Sequence, residues 1–176
     1  MRCQIWYTRK WNQEKTNLTE VMLTVLKWTK IIVFLLLLIL YGSFLVHKID
    51  LPAADDLPRQ IKIGEEIVHG NWSMLYTNVF SYTEPEYKFY NHHWLSGVAF
   101  YLLDSVVGWN GLVIFKTIVL LTAFCLIFST ALKKADFWLV ALTSLPVILM
   151  LRERTGLRPE VFSYLFIALF LYILVD

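Results

Sequence analysis

Three groups of side chains in this chain have the residue types and spacing to do chemistry. The first is the acidic pair Asp55-Asp56 with Arg59 just beyond it. Adjacent carboxylates can hold a divalent cation, or can take the proton from an attacking hydroxyl as a general base. The second is Asn91-His92-His93-Trp94. Imidazoles titrate near neutrality and ligate metals, but consecutive helical positions point about 100° apart, so two such rings do not easily share one ion. The third is Arg152, Arg154 and Arg158, followed by Glu160. Guanidinium groups bind phosphate bidentately, and several at one surface suit a lipid phosphate or diphosphate. Each group also has a plain reading. The acids can cap a loop helix, the histidines can sit in an interfacial loop, and the arginines can meet anionic headgroups.

The elements that must position these residues are apolar blocks. Ile31–Val46 is a charge-free run containing Leu35-Leu36-Leu37-Leu38, with Trp28 before it as an interfacial aromatic. Residues 1–30 form a basic tail and 31–46 a first membrane span, extended by Thr29 or part of the preceding turn. Residues 47–110 are an extracytoplasmic loop. Within it, Leu57–Val68 predicts a short amphipathic helix with Asp55 or Asp56 at its N-cap and Pro58 in its first turn. Thr77–Asn91 reads as a loop, and Trp94–Val107 as an interfacial helix broken by Gly108 and Gly111. Residues 111–176 hold spans two to four: Leu112–Leu132, Phe137–Leu151 with a kink at Pro146, and a last helix opening at Glu160. Lys116 is expected to snorkel from one end of the second span. The fold class is therefore all-α integral membrane, a bundle of about four spans with a helical loop between the first two.

Composition agrees. Apolar residues make up 57% of the 176 and charged residues only 17%, where a soluble domain carries about a quarter charged. A net charge of +2 gives no basis for nucleic-acid binding. Cys3 and Cys125 fall in a polar tail and an apolar helix, so they suggest neither a disulfide nor a metal site. Basic residues at the start and at Lys133-Lys134 share one side if the spans alternate, which makes that side, and both termini, cytoplasmic. The loop 47–110 and the segment Arg152–Pro159 then face outward. Three arginines in a short outward loop run against the positive-inside tendency and call for a reason.

The run Asp55-Asp56-Leu57-Pro58-Arg59, then Ile63-Gly64, Asn78-Val79-Phe80-Ser81-Tyr82-Thr83, Asn91-His92-His93-Trp94-Leu95, Gly108 with Gly111-Leu112, and Arg158-Pro159-Glu160 resembles the amino-terminal part of GT-C-type membrane glycosyltransferases. The resemblance is to the RgtA/B/C/D-like branch, related to protein mannosyltransferases and aminoarabinose transferases, and covers roughly residues 31–176. It implies an enzyme of the bacterial cytoplasmic membrane and cell envelope. Such an enzyme moves a hexosyl or pentosyl group from a polyprenyl-phosphate-linked donor to a glycan, lipid or protein acceptor on the non-cytoplasmic face. By position, Asp56 or Asp55 would deprotonate the acceptor, or hold a divalent cation where one is used. Arg158, with Arg154 or Arg152, would hold the donor phosphate, and Arg59, His92 and His93 would line the site. Members of that family are much longer, which implies that this chain is an amino-terminal fragment. The rival reading is a non-enzymatic lipid-binding or assembly subunit. A transporter is weaker, because ionisable residues are nearly absent from the span centres.

Overall fold

The computed structural model describes residues 2–47, 56–84, 87–152 and 156–175, with side chains of the first helix from Leu18 to Val46. The described residues form helices α1 (Arg2–His47), α2 (Leu57–Val68), α3 (Trp94–Leu132), α4 (Phe137–Leu151) and α5 (Glu160–Leu174). A 3-10 turn, η1 (Trp72–Leu75), lies between α2 and α3. Among the described residues there is no strand, only one isolated bridge between Thr77 and Lys88.

α1 begins far upstream of the charge-free run. No proline or glycine interrupts the sequence from Arg2 to Tyr41, so the polar segment continues the same helix. Thr24 and Thr29 donate their hydroxyls to the Glu20 and Val25 carbonyls at 2.8 and 2.9 Å, so both hydroxyls are paired within the helix. Leu18–Val46 and Trp94–Leu132 are both long and apolar enough to cross a membrane. α4 and α5, at 15 residues each, reach about 22 Å against a hydrocarbon core of about 30 Å.

The expected interfacial helix and second span are the two arms of α3. They meet at Gly108, whose φ of 64° and ψ of −173° lie in a region open essentially to glycine alone. Gly111 is helical, so the break is at Gly108 and not at both glycines. α4 starts where Asp136 accepts a hydrogen bond from the Trp138 backbone N–H at 2.9 Å, which satisfies an orphan donor of the first turn. It runs through Pro146 as one helix.

Ring contacts fix the direction of each element. At one end Phe34 of α1 packs on Phe128 of α3 at 4.8 Å, and Phe128 on Phe137 of α4 at 5.9 Å. Lys133 also lies there, 4.4 Å from the Tyr172 ring of α5. At the other end Arg152 sits over Phe44 of α1 at 5.2 Å, and Phe100 stacks on Phe162 of α5 at 5.7 Å. α1, the second arm of α3, α4 and α5 therefore alternate in direction. Lys30, Lys133 and Lys134 gather at one end, and the 56–100 region with Arg152 and Arg158 at the other. The larger of two hydrophobic clusters, with Leu37, Tyr41, Leu45, Phe124, Ile148 and Val161 among its members, runs between the ends. Outside it, large apolar side chains such as Leu36, Ile39, Leu142, Met150, Phe170 and Leu174 are exposed on α1, α4 and α5. A helix apolar all round requires apolar surroundings.

Candidate functional site

The polar end is assembled by α2. Leu57, Gln60, Ile63, Gly64 and Ile67 form its buried face, while Lys62 pairs outward with Glu65 at 2.9 Å and Glu66 at 3.2 Å. Gly64 lies directly against the first arm of α3. A Cβ there would overlap the Gly97 carbonyl and stand 2.7 Å from the Val98 backbone nitrogen, and one on Gly97 would stand 2.7 Å from the Gln60 carbonyl oxygen. Glycine at both positions is what lets the two backbones touch. Gly70, with φ of 90°, ends α2 as a left-handed glycine after the His69 cap. The chain then closes a small loop, in which the Phe89 N–H donates to the Tyr76 carbonyl at 3.1 Å and the Asn91 N–H to the Leu75 carbonyl at 3.0 Å.

Of the acidic pair, Asp55 lies outside the described residues. Asp56 occupies the N-cap position of α2, but its backbone is helical and its carboxylate makes no cap bond. It instead meets the Arg59 guanidinium at 3.0 Å, with the two side chains 65% and 47% exposed. An ion pair this exposed contributes about 0–1 kcal/mol, so the guanidinium and the carboxylate can both be recruited at low cost. Arg59 borders a cavity of about 50 Å3 together with Gln60, Asn91 and His93. The histidines are on a turn and not on a helix, so their rings lie side by side at 4.0 Å and do not diverge by 100°. The His93 N–H is held by the Asn91 Oδ1 at 3.1 Å. No group of three or more metal-ligating side chains occurs among the described residues. Arg154 lies outside the described residues. Arg152 closes α4 and Arg158 precedes α5, both exposed, so these two share the end that carries Asp56 and Arg59.

Below this end the helices leave an apolar groove of about 320 Å3, walled by residues that include Tyr41, Phe124, Phe128, Val147, Leu151 and Ile167. Ser144 and Thr143 also line it, but their hydroxyls donate to the Val140 and Leu139 carbonyls at 2.7 and 2.9 Å. The wall is therefore apolar in effect. It follows α4 from Val140 to Leu151, about 17 Å of helix, and Arg152 is the next residue.

Two features escaped the sequence reading. Lys116 does not snorkel: it is 3% exposed and shares the inner face of α3 with Leu112, Val119 and Leu120. Its neighbour Phe115 meets Phe162 at 6.0 Å, so the start of α5 packs along this part of α3. Gln60 is the second, a polar residue on the buried face of α2. Its position on the apolar stripe with Leu57, Ile63 and Ile67 was the available signal. Electrostatics at the polar end are local. The Glu66 carboxyl is held below its ordinary range, first by the Asn71 amide and then by Lys62. The Lys62 amine is held above its own by Glu65 and Glu66. Compared with protein-family models, with characterised proteins and with solved structures, the chain matches none.

Proposed function

We propose that this chain is a multi-pass integral membrane protein that binds a phosphate-bearing lipid and acts in glycosyl transfer from a lipid-linked sugar. The single observation that carries lipid binding is the apolar groove of about 320 Å3 that follows α4 as far as Leu151, the residue before Arg152. A hydrocarbon chain laid along α4 brings its phosphate to that arginine, which Phe44 already holds at the rim. α1, the second arm of α3, α4 and α5 form the four spans, with the lysine end cytoplasmic and the α2 end outward. α4 and α5, short for a bilayer, are accommodated by local thinning. The outward arginines then have a reason, because the donor phosphate sits among them.

The transfer step draws on the sequence resemblance and on the low cost of opening the Asp56–Arg59 pair. Asp56, once released, accepts the proton of the acceptor hydroxyl as the hydroxyl oxygen bonds to the sugar's anomeric carbon. The bond from that carbon to the phosphate oxygen breaks, and the polyprenyl phosphate leaves as an anion toward which Arg59 turns. A second reading, a lipid-binding or assembly subunit without catalysis, is favoured by the same pair, because Asp56 is already bonded to Arg59. The experiment is a titration in nanodiscs with a polyprenyl phosphate, alongside a transfer assay on the gene product with a polyprenyl-phosphate-linked sugar. Val147→Trp, which fills the groove, and Arg152→Lys, which removes the bidentate fork, should both weaken binding. Asp56→Asn should keep binding and abolish transfer. Full binding by Val147→Trp would remove the groove. Unchanged transfer by Asp56→Asn would leave only the non-catalytic reading.

A further inference from the structure

α1 is longer than its neighbours require. Lys30 lies 5.8 Å from the Phe137 ring, at the start of α4, so the packed bundle ends near this turn. The same helix continues from Thr29 back to Leu18, roughly 18 Å further, and every residue from Leu18 to Trp28 is exposed. The apolar stretch Leu18–Val46 has 29 residues, about 43 Å of helix against a hydrocarbon core of about 30 Å. With Val46 at the outward end, Lys27, Trp28 and Lys30 fall at the inner boundary, and Leu18–Leu26 stand in water.

The exposed apolar side chains of α1 follow a heptad. Leu18, Val25, Ile32 and Ile39 recur every seven residues, and Val21, Trp28 and Leu35 each follow three residues after one of them. Alternating steps of three and four make the a/d seam of a coiled coil, and β-branched residues at a favour two parallel strands. Three of the four a positions here are Val or Ile. The seam is not used within the chain: its members are between 49% and 66% exposed. α1 meets the bundle through Phe34, Leu37 and Tyr41, which lie on roughly the opposite side of the helix. Glu20, Lys27 and Lys30 are all off the seam, and the flanking positions carry Met22, Thr24, Thr29 and Ile31. Both threonine hydroxyls are bonded within the helix. Two copies therefore meet along this line without opposing like charges. Side chains of this size and exposure bury roughly 100 Å2 each, so the seam residues of two copies remove on the order of 1,400 Å2, within the roughly 1,200–2,000 Å2 of a stable interface. Inside the bilayer only packing drives this contact, but Leu18, Val21 and Val25 leave water, where burial is itself favourable.

We propose that α1 pairs with α1 of a second copy of this chain, in parallel and in register, along the seam from Leu18 to Ile39. Two copies inserted the same way can meet only in parallel, which gives a two-fold axis along the membrane normal. The parallel direction rests on the membrane reading, and the lipid groove and the transfer step play no part in it. The test is disulfide crosslinking of the full chain in membranes, with Cys3 and Cys125 replaced by Ser and one cysteine introduced at a time. Val21→Cys, Val25→Cys and Trp28→Cys should form covalent dimers with copper phenanthroline, and Glu20→Cys, Leu23→Cys and Lys27→Cys roughly tenfold less. Adding Val21→Glu should cut the Val25→Cys crosslink roughly tenfold or more, because it sets like charges face to face, and adding Leu23→Glu should not. All these positions are exposed, so the fold of the bundle is untouched. Equal crosslinking around the helix overturns the proposal, because it records chance collision. Absence of crosslinks at the seam positions also overturns it, because lipid or a different protein then covers the face. Alkaline extraction of the same membranes separates the two readings: release of the protein overturns the membrane span, while the crosslink pattern still decides the pairing.

Discussion

Adding one methyl group to Gly64 should separate α2 from α3 and loosen the whole polar end. The new Cβ would overlap the Gly97 carbonyl and approach the Val98 nitrogen at 2.7 Å. Both obstacles are backbone inside a helix, so no side chain can swing aside, and α2 itself must retreat. Overpacking of this kind costs about 1–3 kcal/mol, a shift of roughly 5- to 150-fold in the docking equilibrium. Ile63, Ile67 and Met74 would lose their contacts with Val98, and the cavity shared by Arg59, Gln60, Asn91 and His93 would open. Hydrogen exchange in nanodiscs reads the effect directly: amides of α2 should exchange faster in Gly64→Ala, while those of α4 stay unchanged. Gly42→Ala is the control, because its nearest obstacle is a Leu121 side-chain carbon at 3.8 Å, an ordinary contact. Gly97→Ala should repeat the Gly64 result, and the double variant should lose less than the sum, since both changes break one contact. Wild-type protection of α2 in Gly64→Ala would refute the close approach.

Gly108→Ala places a side chain where φ is 64° and ψ is −173°, which costs about 1–3 kcal/mol of strain, and thermal unfolding should record the loss. The Glu66 carboxyl is depressed first by Asn71 and then by Lys62. Its contribution is therefore present above the ordinary glutamate value of about 4.3 and is lost as pH falls through the lower folded value. A carboxyl-carbon NMR titration should find the Glu66 inflection below that ordinary value, and Asn71→Ala should bring it back further than Lys62→Met does. Lys62 is shifted the other way, so its contribution is present below about 10.4 and fades as pH rises through the folded value. Lys116, at 3% exposure, should be acylated by an amine reagent far more slowly than Lys133 or Lys134, and equal labelling would contradict its burial.

Much of the backbone was legible because local chemistry punctuates it. Pro58 and the Leu57, Ile63 and Ile67 spacing mark α2. Lys133–Asp136 marks the turn into α4, and Gly108 marks the break in α3. The start of α1 was not legible, since a charge-free run shows where the helix turns apolar and not where it begins. With no breaker between Arg2 and Tyr41, the polar stretch simply continues the helix. The site was harder to read because its meaning is tertiary. Asp56 sits at the N-cap position, yet its carboxylate goes to Arg59, a choice between two local partners that spacing leaves open. Lys116 lies near the end of an apolar run, where snorkelling is the natural expectation, but α5 packs along that part of α3. Gln60 and Asn91 line the same small cavity, α2 being docked through Gly64 and Gly97 and the intervening loop carrying the Thr77–Lys88 bridge.

Lipid binding is tested most directly by native mass spectrometry of the protein released gently from membranes in which it was made. A phosphate-bearing lipid should be bound to the wild type, lost when Val147→Trp fills the groove and reduced when Arg152→Ala removes its head contact, with both variants still folded by thermal unfolding. Protein recovered without lipid, or lipid retained equally by Val147→Trp, would contradict lipid binding in the groove.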